Sequence, residues 1–204
     1  MTPPPSDHSG IQVTVTRVHR DSPDGPDSPD GRDIRDSRDS AAGGLIAEYL
    51  HRTEQEKHRH GVTAHPPPPH PGLDLPETLD PSGAYAGGAV FLAHLDAEPV
   101  GVVAVTTRCP ATRTVEIKRL WVRPEHRGSG VGSALLRAAI RAATRPDPDG
   151  SHPDEIRLTV WRWRRAAIAL YRREGFTVAE SWEPDRPDLV CMRLEPTRPG
   201  VTGS

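Results

Sequence analysis

The residues with the clearest chemical pattern form the hexapeptide Arg127-Gly128-Ser129-Gly130-Val131-Gly132. Its glycines alternate directly after the strand-like run 115–122, and an amphipathic helical pattern follows them. Glycine lets a backbone approach a ligand closely and adopt positive φ. A turn that opens a helix also presents unpaired N–H groups and the positive end of the helix dipole. The spacing therefore predicts a site for a phosphate-bearing ligand.

The glycine turn allows four interpretations. A P-loop requires a Gly-Lys-Ser/Thr ending, which this turn lacks. A dinucleotide fingerprint requires a third glycine where Leu135 stands, and an acidic residue in a region that is predicted here as loop. A pyrophosphate arm lying across the helix N-terminus, as in coenzyme A, requires neither feature. The fourth interpretation, a glycine turn without a ligand, is disfavoured by the matched context on both sides of the turn.

Strands and helices are predicted around this turn, which indicates an α/β fold with mostly short connections. Apolar alternation predicts strands at 11–18, 89–95, 100–106, 115–122, 156–160, 176–182 and 189–194. Helical spacing predicts helices at 41–60, 130–143 and 164–174, with a hairpin turn at 96–99 and a loop at 73–83. Within 115–122 the apolar positions change from odd to even numbers, which predicts a β-bulge.

Length and composition predict one domain over residues 11–196, between disordered tails at 1–10 and 197–204. The hydrophobic content of 34%, with 23 prolines and 18 glycines, indicates loose segments within it. Aspartate recurs at every third position in the segment 21–40, a period that fits neither helix nor strand. We therefore predict a disordered, low-complexity insert at 21–40 and a proline-rich connector at 66–71.

Charge and motif content argue against several classes of partner. The net charge of −2 provides no global field that would attract nucleic acid or a membrane. Tryptophans and arginines interleave at 161–165, and this pattern is interpreted as packing at a strand end rather than as base stacking. The histidines at 51–70 lack converging metal-ligand spacing, so no metal is predicted. With no leader and no disulfide framework, we expect a cytoplasmic monomer or homodimer.

Two segments carry a resemblance to a known family. The stretch 120–132 resembles the acetyl-CoA signature of the GNAT superfamily of N-acetyltransferases, whose pattern Arg/Gln-x-x-Gly-x-Gly/Ala is met by Arg127, Gly130 and Gly132. The segment 167–171, Ala-Ile-Ala-Leu-Tyr, is followed by Gly175-Phe176 and resembles the family's Ala-x-x-Leu-Tyr-x-x-x-Gly-Phe run. The resemblance covers residues 84–194 well and the N-terminal part poorly.

The resemblance implies a mixed, mostly antiparallel central sheet that is flanked by helices and contains a splayed parallel strand pair, here 115–122 and 155–160. The pantetheine arm of acetyl-CoA, the implied co-substrate, would bond to the backbone around Leu120 and Val122. Its pyrophosphate would lie on the N–H groups of 127–132. The predicted cofactor-binding residues are Leu120, Trp121, Val122, Arg127, Gly128, Ser129, Gly130, Val131, Gly132, Ser133 and Arg164.

The implied activity is acetyl transfer from acetyl-CoA to a primary amine of unknown identity. Because no cysteine stands in either motif, direct attack in a ternary complex is expected. Glu116 is the candidate base, Tyr171 the candidate general acid, and the Val122 N–H a candidate oxyanion donor. The structural alternatives are a Glu116 that pairs with a neighbouring cation and a Tyr171 that only packs.

The chain departs from the family pattern at one position. Many relatives carry Asn where Arg164 stands, and an arginine there could itself reach an anion. Two functional alternatives remain open: transfer of another acyl group, and an acyl-CoA-binding module without turnover.

Overall fold

The sheet holds all the described strands in one layer. The computed structural model describes residues 12–18, 29–68, 72–107, 109, 111–146 and 150–196, with residues 29–38 described by their backbone alone. The strands are β1 Val13–Val18, β2 Ala89–Leu95, β3 Glu98–Val105, β4 Thr114–Val122, β5 Glu155–Trp161, β6 Thr177–Val178 and β7 Leu189–Leu194. Their spatial order is β1-β2-β3-β4-β5-β7-β6.

Neighbouring strands run antiparallel, except for β4 and β5, which are parallel. The parallel pair needs a crossover connection, and the helix α4 (Val131–Ala143) supplies it. The predicted mixed, mostly antiparallel sheet with a splayed parallel pair and flanking helices is therefore confirmed.

The helices cover the two faces of the sheet. They are α1 Pro29–Arg59, α2 Pro76–Leu79, α3 Pro81–Ala84, α4 and α5 Arg165–Arg173. The apolar stripe of α4, which includes Val131, Leu135 and Ala139, packs on one face together with Leu170 and Tyr171 of α5. A second cluster, built from α1 and the residues beneath it, fills the other face. Burial of these two stripes fixes which side of each strand faces which helix.

The bulge expected in the strand 115–122 is present in β4. Val102 of β3 pairs with Trp121 and Ala104 pairs with Lys118, so β4 has one more residue than β3 between these pairs. Arg119 takes up the extra length with φ of +55°, a left-handed value that is rare for a side-chain-bearing residue. As a result, Val115 and Ile117 before the bulge and Leu120 and Val122 after it all pack in the cluster on the α4 face.

The prediction of a disordered insert through residue 40 is wrong for residues 29–40, because α1 begins at Pro29. Residues 21–28 lie outside the described residues. Once the apolar part of the helix is docked on the sheet, each added residue gains a hydrogen bond without a new nucleation cost. Amino-acid composition alone does not predict this extension of the helix. The predicted stop at Gly61 is confirmed by its φ of +74° directly after α1.

Three smaller predictions are corrected by the structure. The loop predicted at 73–83 contains α2 and α3, and each begins with a proline in its first turn. The strand predicted at 176–182 is ordered as strand only over Thr177–Val178. The hairpin turn is tighter than predicted, because Asp96 and Ala97 both have positive φ and β3 resumes at Glu98.

The remaining predictions about domain organisation are not resolved. Residues 66–68 of the proline-rich connector form neither helix nor strand, and residues 69–71 lie outside the described residues. The tails at 1–10 and 197–204 also lie outside them. The assignment of one domain to residues 11–196 stays a prediction.

Candidate functional site

A gap opens between β4 and β5 beyond their first three paired positions. The two strands are paired only from Thr114–Glu155 to Glu116–Arg157. Beyond that point, β5 continues to pair with β7 and β4 with β3, so the two strands diverge. Backbone groups along the facing edges of 117–122 and 158–161 therefore have no sheet partner across the gap. Such unpaired edge groups can bind an extended, amide-bearing ligand.

The N–H group of Val122 faces this gap. The Arg123 N–H donates to the Val100 carbonyl of β3 at 3.0 Å. Because successive backbone groups of a strand point to alternate edges, the Val122 N–H is directed away from β3. The Val122 carbonyl, on the same edge, accepts a hydrogen bond from Arg127 Nε at 3.1 Å. This geometry gives the predicted oxyanion donor a free direction toward the gap.

The glycine turn places the N-terminus of α4 at one end of the gap. Gly128 and Gly130 have φ of +86° and +90°, and a Cβ added at either one would meet no protein atom within 4 Å. Gly130 is the N-cap residue, with no side chain to cap the helix, and the first helical bond runs from the Ala134 N–H to its carbonyl. The N–H groups of Val131, Gly132 and Ser133 therefore lack helical partners and can bind an anion.

Gly132 brings this turn close to β4 and α5. A Cβ at Gly132 would lie 3.4 Å from Leu170 Cδ2 and 3.8 Å from Val122 Cγ2. The hydroxyl of Ser129 is engaged within the turn, where it donates to the His126 carbonyl at 2.6 Å. The turn, the end of β4 and the tyrosine-bearing helix α5 therefore meet at one place, as the sequence motifs predict.

Arg127 adds positive charge beside the turn. Its guanidinium lies 4.8 Å from the centroid of the Trp121 ring. Partial desolvation lowers the pKa of Arg127 below its ordinary value, Arg52 and Arg164 lower it further, and Glu56 and Glu125 oppose them. An anion bound beside Arg127 would stabilise its charged form. Trp121 itself faces α1, on the sheet face opposite to Leu120 and Val122, so only its backbone borders the gap.

Tyr171 lies in the core cluster that Leu120 and Val122 also contact. Its ring packs edge-on against Phe176, with centroids 6.0 Å apart. Burial raises the pKa of the Tyr171 hydroxyl, Tyr49 raises it further, and the charge of Arg164 opposes both effects. A phenol with a raised pKa stays protonated at neutral pH, which a proton donor requires.

Glu116 lies on the α1 side of β4, where its carboxylate pairs with Lys118 Nζ at 2.8 Å. This is the structural alternative that the sequence left open. The side chains of Glu116 and Lys118 are 38% and 43% exposed, so the pair is accessible to a ligand and weakly held. The Glu116 N–H donates to Thr106 Oγ1 at 2.9 Å, which fixes the backbone at this position.

Arg164 is held by α1. Its Nε donates to Glu56 Oε2 at 2.8 Å, and its Nη2 donates to Thr53 Oγ1 at 2.7 Å. Burial alone would raise the pKa of Glu56, but Arg164, with help from Trp163 and Arg52, lowers it overall. An anionic ligand could therefore reach Arg164 through Nη1 and through the second N–H of Nη2. The prediction that Arg164 binds the coenzyme stays a prediction.

The aromatic residues near Arg164 contact one another. The Trp161 and Trp163 rings are stacked with centroids 4.9 Å apart, and the His60 ring stacks on Trp163 at 4.2 Å. Trp163 also donates to Glu56 Oε2 at 3.2 Å. These contacts join the end of α1 to the corner between β5 and α5, which matches the packing interpretation of the 161–165 segment.

The sequence predictions missed a group of residues that α1, α2 and α3 bring to β4. Arg119 donates to both carboxylate oxygens of Glu77, at 2.8 and 2.7 Å, and Tyr85 donates to Glu77 Oε2 at 2.6 Å. The guanidiniums of Arg119 and Arg164 lie 5.6 and 5.0 Å from the ring centroid of Tyr49. The sequence did contain a signal for part of this group: Pro76 with Glu77 in a first turn, and Asp80 before Pro81, are helix-start patterns.

The described residues contain neither a cluster of metal ligands nor a helix that could span a membrane. No group of three or more histidine, cysteine, aspartate or glutamate side chains in this part of the chain could hold a metal ion. The helices in the same part of the chain are all too short or too polar to cross a bilayer.

Comparison with known proteins shows that the central part of the chain is similar to a known family. Residues 86–178 match the family model of the Acetyltransferase (GNAT) domain. The predicted resemblance to the GNAT superfamily is therefore confirmed over that range. The thialysine N-epsilon-acetyltransferase of Sus scrofa is 32% identical to the chain over 84 residues, and the protein from Bos taurus matches equally. This match covers 40% of the chain, which spans only 46% of the length of these relatives.

Solved structures extend the similarity of fold to nearly the whole chain. The PaiA N-acetyltransferase of Thermoplasma acidophilum, in complex with coenzyme A, matches with a TM-score of 0.58 and 15% identity. That match covers 91% of this chain and 99% of the other. A GNAT-family acetyltransferase from Staphylococcus aureus matches with a TM-score of 0.57 and 15% identity, over 90% and 99% of the two chains. At these identities the likeness concerns the fold.

Proposed function

We propose that this chain is an N-acetyltransferase that transfers an acetyl group from acetyl-CoA to a primary amine, by direct attack in a ternary complex. The observation that carries the proposal is the gap between β4 and β5, with an anion-binding helix N-terminus at its end and Tyr171 packed beside its wall. The GNAT domain at 86–178 and the N-acetyltransferases among the relatives support it.

The residues around the gap fit coenzyme A. Beyond their chain neighbours, no protein atom would lie within 4 Å of a Cβ at Gly128 or Gly130, and the Val131, Gly132 and Ser133 N–H groups lack helical partners. These groups, together with Arg127, would hold the diphosphate. The open edge of Leu120–Val122 would bind the amides of the pantetheine arm. When bound, acetyl-CoA supplies an activated acetyl thioester.

Each candidate catalytic group has a role set by its position. The Val122 N–H, directed into the gap, donates to the oxygen that gains negative charge during the attack. Tyr171, held protonated by its buried surroundings, donates a proton to the departing sulfur. Glu116 accepts a proton from the acceptor ammonium once that ammonium displaces Lys118, and the neutral amine then moves along β4 to the thioester, because Glu116 lies six positions before Val122.

The positions of the cysteines support direct attack over an acetyl-cysteine intermediate. Cys109 pairs with Thr114 at the closed end of the β4–β5 pair. Cys191 is buried in β7, where it pairs with Thr159 of β5. Cys109 therefore stands at the paired end of β4, and the buried Cys191 Sγ lies 3.8 Å from Ser181 Oγ, so neither position is that of an acetyl carrier in the open part of the gap.

The proposal is tested by thiol release from acetyl-CoA in the presence of an amine panel that includes thialysine, lysine, a diamine and an aminoglycoside. Acceptor-dependent release, with an acetylated product identified by mass spectrometry, is the expected result. Coenzyme binding without release for any amine would favour the alternative of a binding module. Release only from longer acyl-CoA esters would favour transfer of another acyl group.

Three further expectations belong to the proposal. We infer that the protein works in the cytoplasm, as a monomer or homodimer, without nucleic acid as a partner. The matched fold extends over 91% of the chain. Sedimentation analysis with and without coenzyme, and fractionation of the source cells, test these expectations.

A further inference from the structure

A cavity of about 570 Å³ lies beside the catalytic strand, between α2, the end of α3 and β4. Leu75, Pro76 and Tyr85 line one side of it, and Thr106, Lys118 and Arg119 line the other. Glu116 adjoins it, because its N–H bonds to Thr106 and its carboxylate pairs with Lys118. A volume of this size holds a small molecule.

The cavity meets the gap at the bulge of β4. Arg119 lines the cavity, and the next residue, Leu120, borders the gap with its backbone. Arg119 also lies over the Tyr49 ring, and so does Arg164. A molecule in the cavity therefore lies beside the strand segment that borders the gap.

The charges around the cavity are equal in number but differ in availability. The lining carries two cations, Lys118 and Arg119, and one carboxylate, Glu77, and Glu116 adjoins it. Glu77 is only 14% exposed and accepts from both Arg119 and Tyr85, so it has little capacity for a further cation. Lys118 is more exposed and has one carboxylate partner for the three N–H groups of its ammonium.

The Glu116–Lys118 pair fixes where each sign of charge lies beside the cavity. It presents a carboxylate and an ammonium on the same face of β4, two positions apart along the strand. A molecule with both an ammonium and a carboxylate can pair with both members at once. A diamine can pair only with Glu116, and its second ammonium is repelled by Lys118.

We propose that the acceptor is an amino carboxylate, whose amine is presented to Glu116 and whose carboxylate is bound by Lys118 in this cavity. This assignment rests on the proposed function and names its substrate class. The apolar side chains of Leu75 and Pro76 provide a surface for the methylene spacer of such a molecule. The exposed ion pair between Glu116 and Lys118 exchanges its partners for those of the zwitterion at low cost.

The test uses the full chain with three acceptors that differ only at the far end: aminohexanoate, hexylamine and diaminohexane. We expect kcat/KM to be highest for aminohexanoate and lowest for diaminohexane, with a difference of about tenfold or more. A shorter and a longer set of the same three compounds controls for the length of the spacer. A diamine that reacts as well as the amino carboxylate in every set would overturn the assignment.

The variant Lys118→Met identifies the binding group. It should lower kcat/KM for the amino carboxylate about tenfold, mainly through KM, and raise it for the diamine. Arg141→Met, which removes an exposed cation from α4, is the matched control and should leave both values unchanged. Equal losses for all three acceptors in Lys118→Met would contradict the role of the ammonium.

Failure of this inference is distinguishable from failure of the proposed function. If amines react but without preference for a carboxylate, only the acceptor class is wrong. If coenzyme binds and no amine of any class reacts, the proposed transferase function is wrong, and the acceptor assignment is wrong with it. Binding of aminohexanoate, measured by calorimetry in the presence of coenzyme A, gives a readout that does not depend on turnover.

Discussion

Replacement of Gly130 by alanine should separate the backbone geometry of the glycine turn from its ligand. Gly130 has φ of +90°, and an added Cβ would project into space where the protein has no atom within 4 Å. The methyl group thus meets no protein atom, and the cost to the free protein is backbone strain alone. For a non-glycine residue in the left-handed region this strain is about 1–2 kcal/mol. In a domain of this size, each kcal/mol lowers the melting temperature by roughly 2–4 °C.

The effect on coenzyme binding should be larger than a change in stability explains. Relief of the strain turns the N–H groups of Val131 and Gly132 away from their present direction, and the methyl group occupies the space that a phosphate would need. We expect the Kd of coenzyme A to rise about tenfold or more, which corresponds to about 1.4 kcal/mol of binding free energy. Isothermal titration calorimetry with coenzyme A measures this quantity directly.

Gly61→Ala is the matched control for this experiment. Gly61 has φ of +74°, and a Cβ there would also meet nothing within 4 Å, but the residue ends α1 and lies far along the chain from the turn. Its melting temperature should fall by a similar amount while coenzyme affinity stays at the wild-type value. If Gly130→Ala binds coenzyme as tightly as Gly61→Ala does, the turn is not the diphosphate site and the reasoning from its geometry fails.

Three further predictions concern individual side chains. Tyr171→Phe removes the hydroxyl and keeps the ring that packs on Phe176. Stopped-flow or steady-state assays should therefore show kcat lower by about 100-fold or more, with the Kd of coenzyme A unchanged. An unchanged kcat would remove Tyr171 from the mechanism. Glu56→Gln breaks a largely buried ion pair and should lower the free energy of unfolding by about 2 kcal/mol in urea titrations, whereas the exposed Glu125→Gln should not. Because the pKa of Glu56 is lowered on folding from 4.5, its stabilising effect is complete above that pH and is lost as the pH falls through the lower folded value. The free energy of unfolding of Glu56→Gln should therefore fall less steeply at acid pH than that of the wild type. Equal slopes at acid pH would refute the assignment. Two adjacent glycines of α1 should respond oppositely to alanine. Gly44→Ala adds a methyl group in open space and should stabilise the protein by about 0.5–1 kcal/mol, whereas in Gly43→Ala the Cβ would lie 2.1 Å from the Thr78 carbonyl oxygen and should destabilise it by about 1–3 kcal/mol. Melting curves of the two variants that shift in the same direction would contradict this packing.

The gap and its glycine turn could be predicted from local sequence because each depends on neighbours along the chain. The change of apolar phase between Ile117 and Leu120 predicts a bulge, and the structure places it at Arg119. The alternating glycines predict positive φ, and Gly128 and Gly130 have it. Short-range constraints of this kind are written in consecutive residues.

The acceptor side could not be predicted in the same way. Glu77 and Arg119 are 42 positions apart, and Glu56 and Arg164 are 108 apart. Each is one of many charged residues, and only the docking of α1 and α2 on the sheet selects its partner. The N-terminal part of α1 shows the same limit, since its composition indicates disorder while docking of the residues that follow extends the helix to Pro29.

The divergence of β4 from β5 also has a mechanical consequence. The register pairs that join β1–β4 to β5–β7 are the three from Thr114 to Glu116, at one end of the β4–β5 boundary. A coenzyme bound along the open end would form hydrogen bonds to both strand edges and so connect the two halves of the sheet. Slowed amide hydrogen exchange at Val122 and at Thr159, whose N–H groups face the gap, on saturation with coenzyme A would show these new backbone hydrogen bonds.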